Sequence, residues 1–154
     1  MKKTLRDKLG RLLGHKPPEI QVAALCMDSR KGKVLLVTSR GTGRWIVPKG
    51  WPMPGRSLAD AAKQEAWEEA GVRGKVDQDA VGTYHYDKQQ DRGFAIPVEV
   101  HVFVLEVDGL VDEFPEDSQR KRRWYSPERA AELVAETGLK KLLRALPAKA
   151  GKQA

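Results

Sequence analysis

Residues 50–72 read GWPMPGRSLADAAKQEAWEEAGV, and this stretch decides both the fold and the chemistry expected of the chain. Ser57 followed three residues later by Asp60 is a capping-box start and Gly71 is a C-terminal stop, so the spacing predicts a short helix between them. At ~100° per residue from Leu58, residues Ala61, Ala62, Glu65, Glu69 and Val72 fall in one narrow sector, with Glu68 at its edge. Asp60, Lys63, Gln64 and Trp67 lie on the other side, so the solvent face is polar without the glutamates. Burying neighbouring carboxylates is costly unless something positive is present. A hard divalent cation such as Mg²⁺ answers that cost, because it takes oxygen ligands and keeps waters and substrate phosphates in its other positions. The plainer reading of three glutamates on a helix is a solvated acidic edge.

The flanking sequence predicts a sheet framed by helices. IQVAALCMD (20–28) and KVLLVTSR (33–40) are apolar runs separated by Ser-Arg-Lys-Gly, the signature of a hairpin. RWIVP (44–48) is expected as one short strand leading straight into the helix described above. After KVDQDAVGTYHYD (75–87), in which His85 is expected in a hairpin loop, AIPVEVHVFVLEV (95–107) alternates Val98, Val100, Val102 and Val104 with Glu99, His101, Phe103 and Leu105. RRWYS (122–126) reads as a further strand. Ser126-Pro127 opens a helix expected to run to about Thr137-Gly138, with a short basic helix beyond. The expected organisation is a basic, helical arm over 1–18, one domain over 19–146 and a flexible tail over 147–154.

Charge separates these parts. The chain of 154 residues carries a net charge of +7, but residues 1–16 and 140–154 each hold +5, which leaves the body at −3. Basicity therefore belongs to the ends, and no stable nucleic-acid partner is expected. Within the body the positive charge gathers at residues 120–123, a compact cluster suited to a heavily phosphorylated small molecule or to the edge of a solvated hairpin. Leu5, Leu9, Leu12 and Leu13 form an apolar stripe that would lie on the domain or on anionic lipid. No apolar run is long enough to span a bilayer, no h-region opens the chain, and the single cysteine, Cys26, suits a reducing cytoplasm.

The helix stretch resembles the signature of the Nudix hydrolases, G-x5-E-x7-R-E-U-x-E-E-x-G-U with U a bulky aliphatic residue. Gly50, Glu65, Glu68, Glu69, Gly71 and Val72 match, and Ala66 is a small residue at the first U. Arg56 stands where the first Glu belongs, and Gln64 where the Arg belongs. The resemblance implies an α/β fold, a Nudix-type α/β/α sandwich with a mixed β-sheet flanked by helices. It implies that Glu68 and Glu69 ligate a metal, Mg²⁺ or Mn²⁺, and that Glu65 is a ligand or the water-activating base. The carbonyl of Lys49, beside Gly50, would add a further ligand. The reaction implied is attack of water on a phosphorus of a diphosphate. Arg56 is either a lost ligand or a substrate clamp.

Residues 34–50 and 114–134 are further similar to the diphosphoinositol polyphosphate phosphohydrolase branch of that family. In that branch the positions of Ser39, Arg40, Arg120, Lys121 and Arg122 contact substrate phosphates. Lys49-Gly50-Trp51-Pro52-Met53 replaces the branch's Gly-Gly-Gly-Met and places Lys49 at the substrate as well. An acid ahead of Trp124 commonly completes the metal site or serves as base, and Glu116 is expected in that role ahead of Asp117. The substrate expected is a small polyphosphate, a diphosphoinositol or diadenosine polyphosphate, handled by a monomer or homodimer. A Nudix module that binds a phosphorylated ligand or RNA without hydrolysing it is the alternative.

Overall fold

The computed structural model describes residues 17–90 and 93–151, with side chains as far as residue 146; the expected basic arm and its leucine stripe lie outside the described residues. The elements run β1 (Glu19–Asp28), β2 (Lys33–Thr38), β3 (Trp45–Ile46), β4 (Lys49–Gly50), α1 (Leu58–Ala70), β5 (Val72–Val76), β6 (Gly82–Gln89), β7 (Ala95–Leu110), β8 (Arg122–Tyr125), α2 (Pro127–Leu133) and α3 (Thr137–Gly151). The strands form one mixed sheet in the order β3-β2-β1-β7-β5, with β4 against β1, β6 against β7 and β8 against β2. β1 runs parallel to β7 from Glu19↔Val98 to Met27↔Glu106, and every other pairing is antiparallel. This is the α/β/α sandwich that the sequence implies.

β1 shows why helices cover both faces. Its alternate residues enter two different cores: Ala23, Leu25 and Met27 join Val98, Val100, Val102 and the side chains of α2 and α3, whereas Val22, Ala24 and Cys26 join Phe103, Leu105 and the alanines of α1. A strand buried on both sides reads as a continuous apolar run, which is what residues 20–28 are.

Two expectations about element boundaries are corrected. RWIVP is two pieces around Pro48: β3 pairs with β2 through Val37↔Ile46, and β4 pairs with β1 through Ala23↔Lys49. Proline has no N–H to offer a ladder, but its carbonyl accepts from the Ala24 amide at 3.0 Å and steers the chain from one strand to the other. β1 and β2 pair only at Met27↔Val34 and Asp28↔Lys33, and β4 takes the place that opens as they part.

The second correction concerns residues 126–138. The helix capped by Ser126 ends at Leu133, where Val134 turns to an extended ψ of 155°, and Thr137-Gly138 begins α3. Gly138 lies against Tyr84, where an added Cβ would sit 2.6 Å from the tyrosine Cβ. The glycine there serves a close contact between α3 and β6. We expect Gly138→Ala to destabilise the fold by about 1–3 kcal/mol through overpacking, measured as a lower urea midpoint with an unchanged m-value.

Candidate active site

α1 brings the acidic residues to the sheet. Ser57 accepts the Asp60 amide at 3.1 Å and Gly71 closes the helix at φ 64°, the caps that the sequence predicts. Ala59, Ala61, Ala62, Ala66 and Ala70 are fully buried, and these short side chains let the helix axis approach β1 closely. Glu69 comes in with them and is 3% exposed. Glu65 lies over Gly50, where an added Cβ would sit 2.3 Å from the Glu65 carboxyl carbon. Only a glycine permits that carboxylate to rest on β4.

Burial pushes the Glu69 carboxyl up to about 9, hydrogen bonding to Glu65 adds to the shift, and the pull of Arg120 opposes it. Burial also raises Glu65, against its bond with Glu69. The pair therefore holds a shared proton at neutral pH. Arg120 does not prevent this, although its Nη2 lies 3.3 Å from Glu69. Its Nε and Nη2 both donate to Glu116 Oε1, at 3.1 and 3.0 Å, and its Nη1 donates to the Thr38 carbonyl, so Glu116 takes most of its charge.

The same geometry brings together residues far apart in sequence. The Glu116 amide donates to the Glu68 carbonyl at 3.0 Å, fastening the loop after β7 to the end of α1. Arg40 approaches Glu116 at 3.5 Å and donates to Gln119. Lys121 donates its amide to the Thr38 hydroxyl and leaves its side chain exposed. Ser39 Oγ and Thr42 Oγ1 share a hydrogen bond of 2.5 Å in the turn that follows β2. Asp117 accepts the Phe114 amide within its own loop, so of the two neighbouring acids it is Glu116 that reaches the cluster.

Two expected substrate contacts are otherwise engaged. Arg122 Nη1 donates to the carbonyls of Ala70 and Val111, each at 2.7 Å, and its Nη2 pairs with Asp112. It supplies the cation that the last turn of α1 lacks, and is a brace for the helix end. Arg56 meets the cluster only through Gln64: its Nη1 donates to Gln64 Oε1 at 3.0 Å, and Gln64 Nε2 donates to Glu68 Oε1 at 3.3 Å. The two departures from the motif thus satisfy each other and end on Glu68, and Arg56 and Gln64 line a hollow with Asp60, Lys63 and Trp67. His85 is corrected as well. It sits within β6 opposite Glu99, whose carboxylate receives both His85 and His101 at 3.2 and 3.3 Å.

A cavity of about 660 Å³ lies beside β4, and sequence reasoning singled out only part of its lining. Ser39 and Lys49 are there as expected, and Arg44, Lys88 and Glu136 join them. No local motif marks these three, because β6, the β2–β3 turn and the α2–α3 link meet only in the fold. The Lys88 ammonium also lies 5.1 Å from the centre of the exposed Trp51 ring.

A family model for the NUDIX domain matches residues 17–146. The chain belongs to the Nudix family. Over 119 residues it is 40% identical to mouse diphosphoinositol polyphosphate phosphohydrolase 3-alpha, covering 74% of this chain and 68% of that protein. The human 3-beta protein is 39% identical over the same coverage. Among solved structures, a Nudix hydrolase from Nitrosomonas europaea superposes with a TM-score of 0.67 at 22% identity, over 86% of this chain and 90% of that one. A C. elegans Ap4A hydrolase superposes at 0.65 and 22% identity, over 87% and 98%. These last two show the shared fold. With its family and its named phosphohydrolase relatives, the protein is a Nudix-type diphosphate hydrolase.

The buried pair makes a prediction about stability. The folded state of this Nudix domain holds a proton on Glu69 up to about pH 9, whereas an unfolded glutamate releases it at the ordinary value near 4.5. Between those values the folded state binds more protons, so this group's contribution to stability is complete below the lower value and is lost as pH rises through the upper one. In the presence of EDTA, Glu69→Gln should remove this loss and stabilise the protein at pH 8 relative to pH 5 by on the order of 2 kcal/mol compared with wild type. Urea unfolding at the two pH values measures it; parallel pH dependence in the two proteins would show that Glu69 is ionised.

Proposed function

We propose that the protein is a divalent-metal-dependent hydrolase that cleaves a diphosphate linkage in a phosphate-rich small molecule, a diphosphoinositol polyphosphate or a diadenosine polyphosphate, by attack of water on phosphorus. The observation that carries this reading is the buried carboxyl of Glu69 beside the half-buried Glu65, which is itself pressed against Gly50. Two carboxyls in an apolar setting are a poor structural element and a good hard-cation site. Among the described residues no three acidic, histidine or cysteine side chains already converge as a ligand set. The reason is that Glu69 is turned towards Glu65 and Arg120. The donors nevertheless fit: releasing the shared proton leaves two anionic oxygen donors in place, with Glu68 one helical step away. Glu65, Glu68 and Glu69, with the Lys49 carbonyl beside Gly50, would hold Mg²⁺ or Mn²⁺. Such an ion, when bound, lowers the pKa of a ligated water and neutralises charge on the phosphoryl oxygens.

The remaining roles follow from the side chains. Glu116, held by Arg120 and by its own amide on α1, is the residue we assign to receive a proton from water. Ser39, Arg40, Lys49 and Lys121 supply donors and positive charge for phosphates near the cluster. Arg120 spaces Glu69 from Glu116, and Arg56 acts through Gln64 to orient Glu68. The names of the relatives support both substrate classes, one from the curated proteins and one from a solved structure. The single buried cysteine supports a reducing, cytoplasmic setting, and no described helix is long and apolar enough to cross a membrane.

The test is product release from diphosphoinositol polyphosphates, diadenosine polyphosphates, ADP-ribose and nucleoside triphosphates, with and without Mg²⁺ or Mn²⁺. We expect metal-dependent turnover that falls about 100-fold or more in Glu69→Gln. Tight binding without turnover by either protein would replace the hydrolase with a ligand-binding module. Within the same assay, Gln64→Ala should raise the metal concentration needed for half-maximal rate by about tenfold, because Glu68 loses its orienting donor.

A further inference from the structure

The dipeptide Lys49-Gly50 serves two faces of the sheet. Gly50 leaves room for Glu65 on the α1 side, and Lys49, pointing the other way as strand alternation requires, lines the 660 Å³ cavity. The space for whatever the diphosphate is attached to therefore begins one residue from the carboxyl cluster. Cations dominate its lining: Arg44, Lys88 and Lys49. Lys49 makes no ion pair among the described residues, its ammonium is disfavoured by burial, and it rests 5.4 Å from the centre of the Tyr86 ring. Such a lining asks for phosphate.

Two acids of the lining, Asp87 and Glu136, stand against that request; Asp87 is exposed to solvent and Glu136 is not. Glu136, the last acid of the chain, enters the same cavity from the link between α2 and α3. Its Oε2 is buried and has no hydrogen-bond partner, and it is the only such side-chain atom among the described residues. Its charge is felt by Lys49, Tyr84 and Tyr86, all of which face the same region. A buried acceptor without a donor is costly, and a ligand in the cavity that brings an O–H or N–H to it would relieve that cost. A ring esterified with phosphate at every position has no ring O–H or N–H to give, and would set a strongly anionic phosphate against the carboxylate. A ligand that carries phosphates beside a free hydroxyl or amino group meets both demands.

We propose that Glu136 is a specificity-determining residue that selects diphosphate-bearing ligands with a free O–H or N–H beside their phosphates, as in the ribose or base of a nucleotide, over fully phosphorylated rings. This rests on the reading of the carboxyl cluster as a diphosphate site and deepens it. The experiment is equilibrium binding in EDTA, where no turnover intervenes, of ATP and of inositol hexakisphosphate to wild type, Glu136→Gln and Glu136→Lys. Each protein is checked for an unchanged circular dichroism spectrum. Wild type should prefer ATP. Glu136→Lys should weaken ATP about tenfold or more and strengthen inositol hexakisphosphate by a similar factor, the loss of one hydrogen bond and the reversal of one charge. Glu136→Gln retains an acceptor oxygen and should fall between the two.

Changes of the same sign and size for both ligands in Glu136→Lys would reduce Glu136 to a general charge and overturn the proposal, as would a wild-type preference for inositol hexakisphosphate that neither substitution alters. Opposite shifts in a protein that turns nothing over would uphold Glu136 and remove the hydrolase instead.

Discussion

The structure turns on the approach of one alanine-rich helix to one strand. Five buried alanines let α1 lie so close to β1 that the carboxyls of Glu65 and Glu69 are trapped between helix and sheet. Bulkier side chains would hold the helix away and leave the acids hydrated, with ordinary acidity and little reason to bind a cation. From this closeness follow the glycine at position 50, the shared proton and the need for Arg120. The nearby Cys26 thiol feels the same confinement: burial raises it to about 12, and the charge of Glu69 adds to the shift.

Arginines organise the periphery of the site more than they advertise it. Arg120 spans Glu69, Glu116 and the Thr38 carbonyl, so the end of β2, the loop after β7 and α1 share one guanidinium. Arg122, two residues on at the start of β8, closes the end of α1. A five-donor planar group can satisfy several carbonyls and carboxylates at once, which lysine cannot. Arg56 and Gln64 show a different economy. Both depart from the family motif, yet they form a donor chain that ends on Glu68, so an exchange of residue types preserves a link between the loop and the acid.

What could be read from the chain was local. Ser57 and Gly71 cap α1 where the sequence puts them, and the alternation over Val98–Val104 places one face of β7 in the core. The acids of α1 were legible because a helical period puts them on an apolar stripe. Long-range pairings were not. Whether the chain around Pro48 continues one strand or changes partners depends on β1 and β2 parting, which no window around Pro48 contains. Arg120, Lys121 and Arg122 form one basic run, but the carboxylates and carbonyls within reach of each give them three different tasks. Glu136 carried a faint signal, the last acid before a basic helix, and gained meaning only when β6 and β4 supplied the other walls.

The parallel pairing of β1 with β7 has a consequence for how the molecule comes into being. Residues 19–27 meet residues 98–106, so the central pair of the sheet closes a loop that contains the whole of α1. The acid-bearing helix is synthesised early, and its caps are complete within its own sequence. The strand beneath it has one neighbour missing until the chain has been made past residue 106. Distant pairings of this kind make folding slow relative to helix formation. Until that pairing forms, the carboxylates of the α1 segment are hydrated and of ordinary acidity. The capacity to hold a proton or a cation between Glu65 and Glu69 is thus a late acquisition of folding, gained in the step that seats the C-terminal half of the sheet.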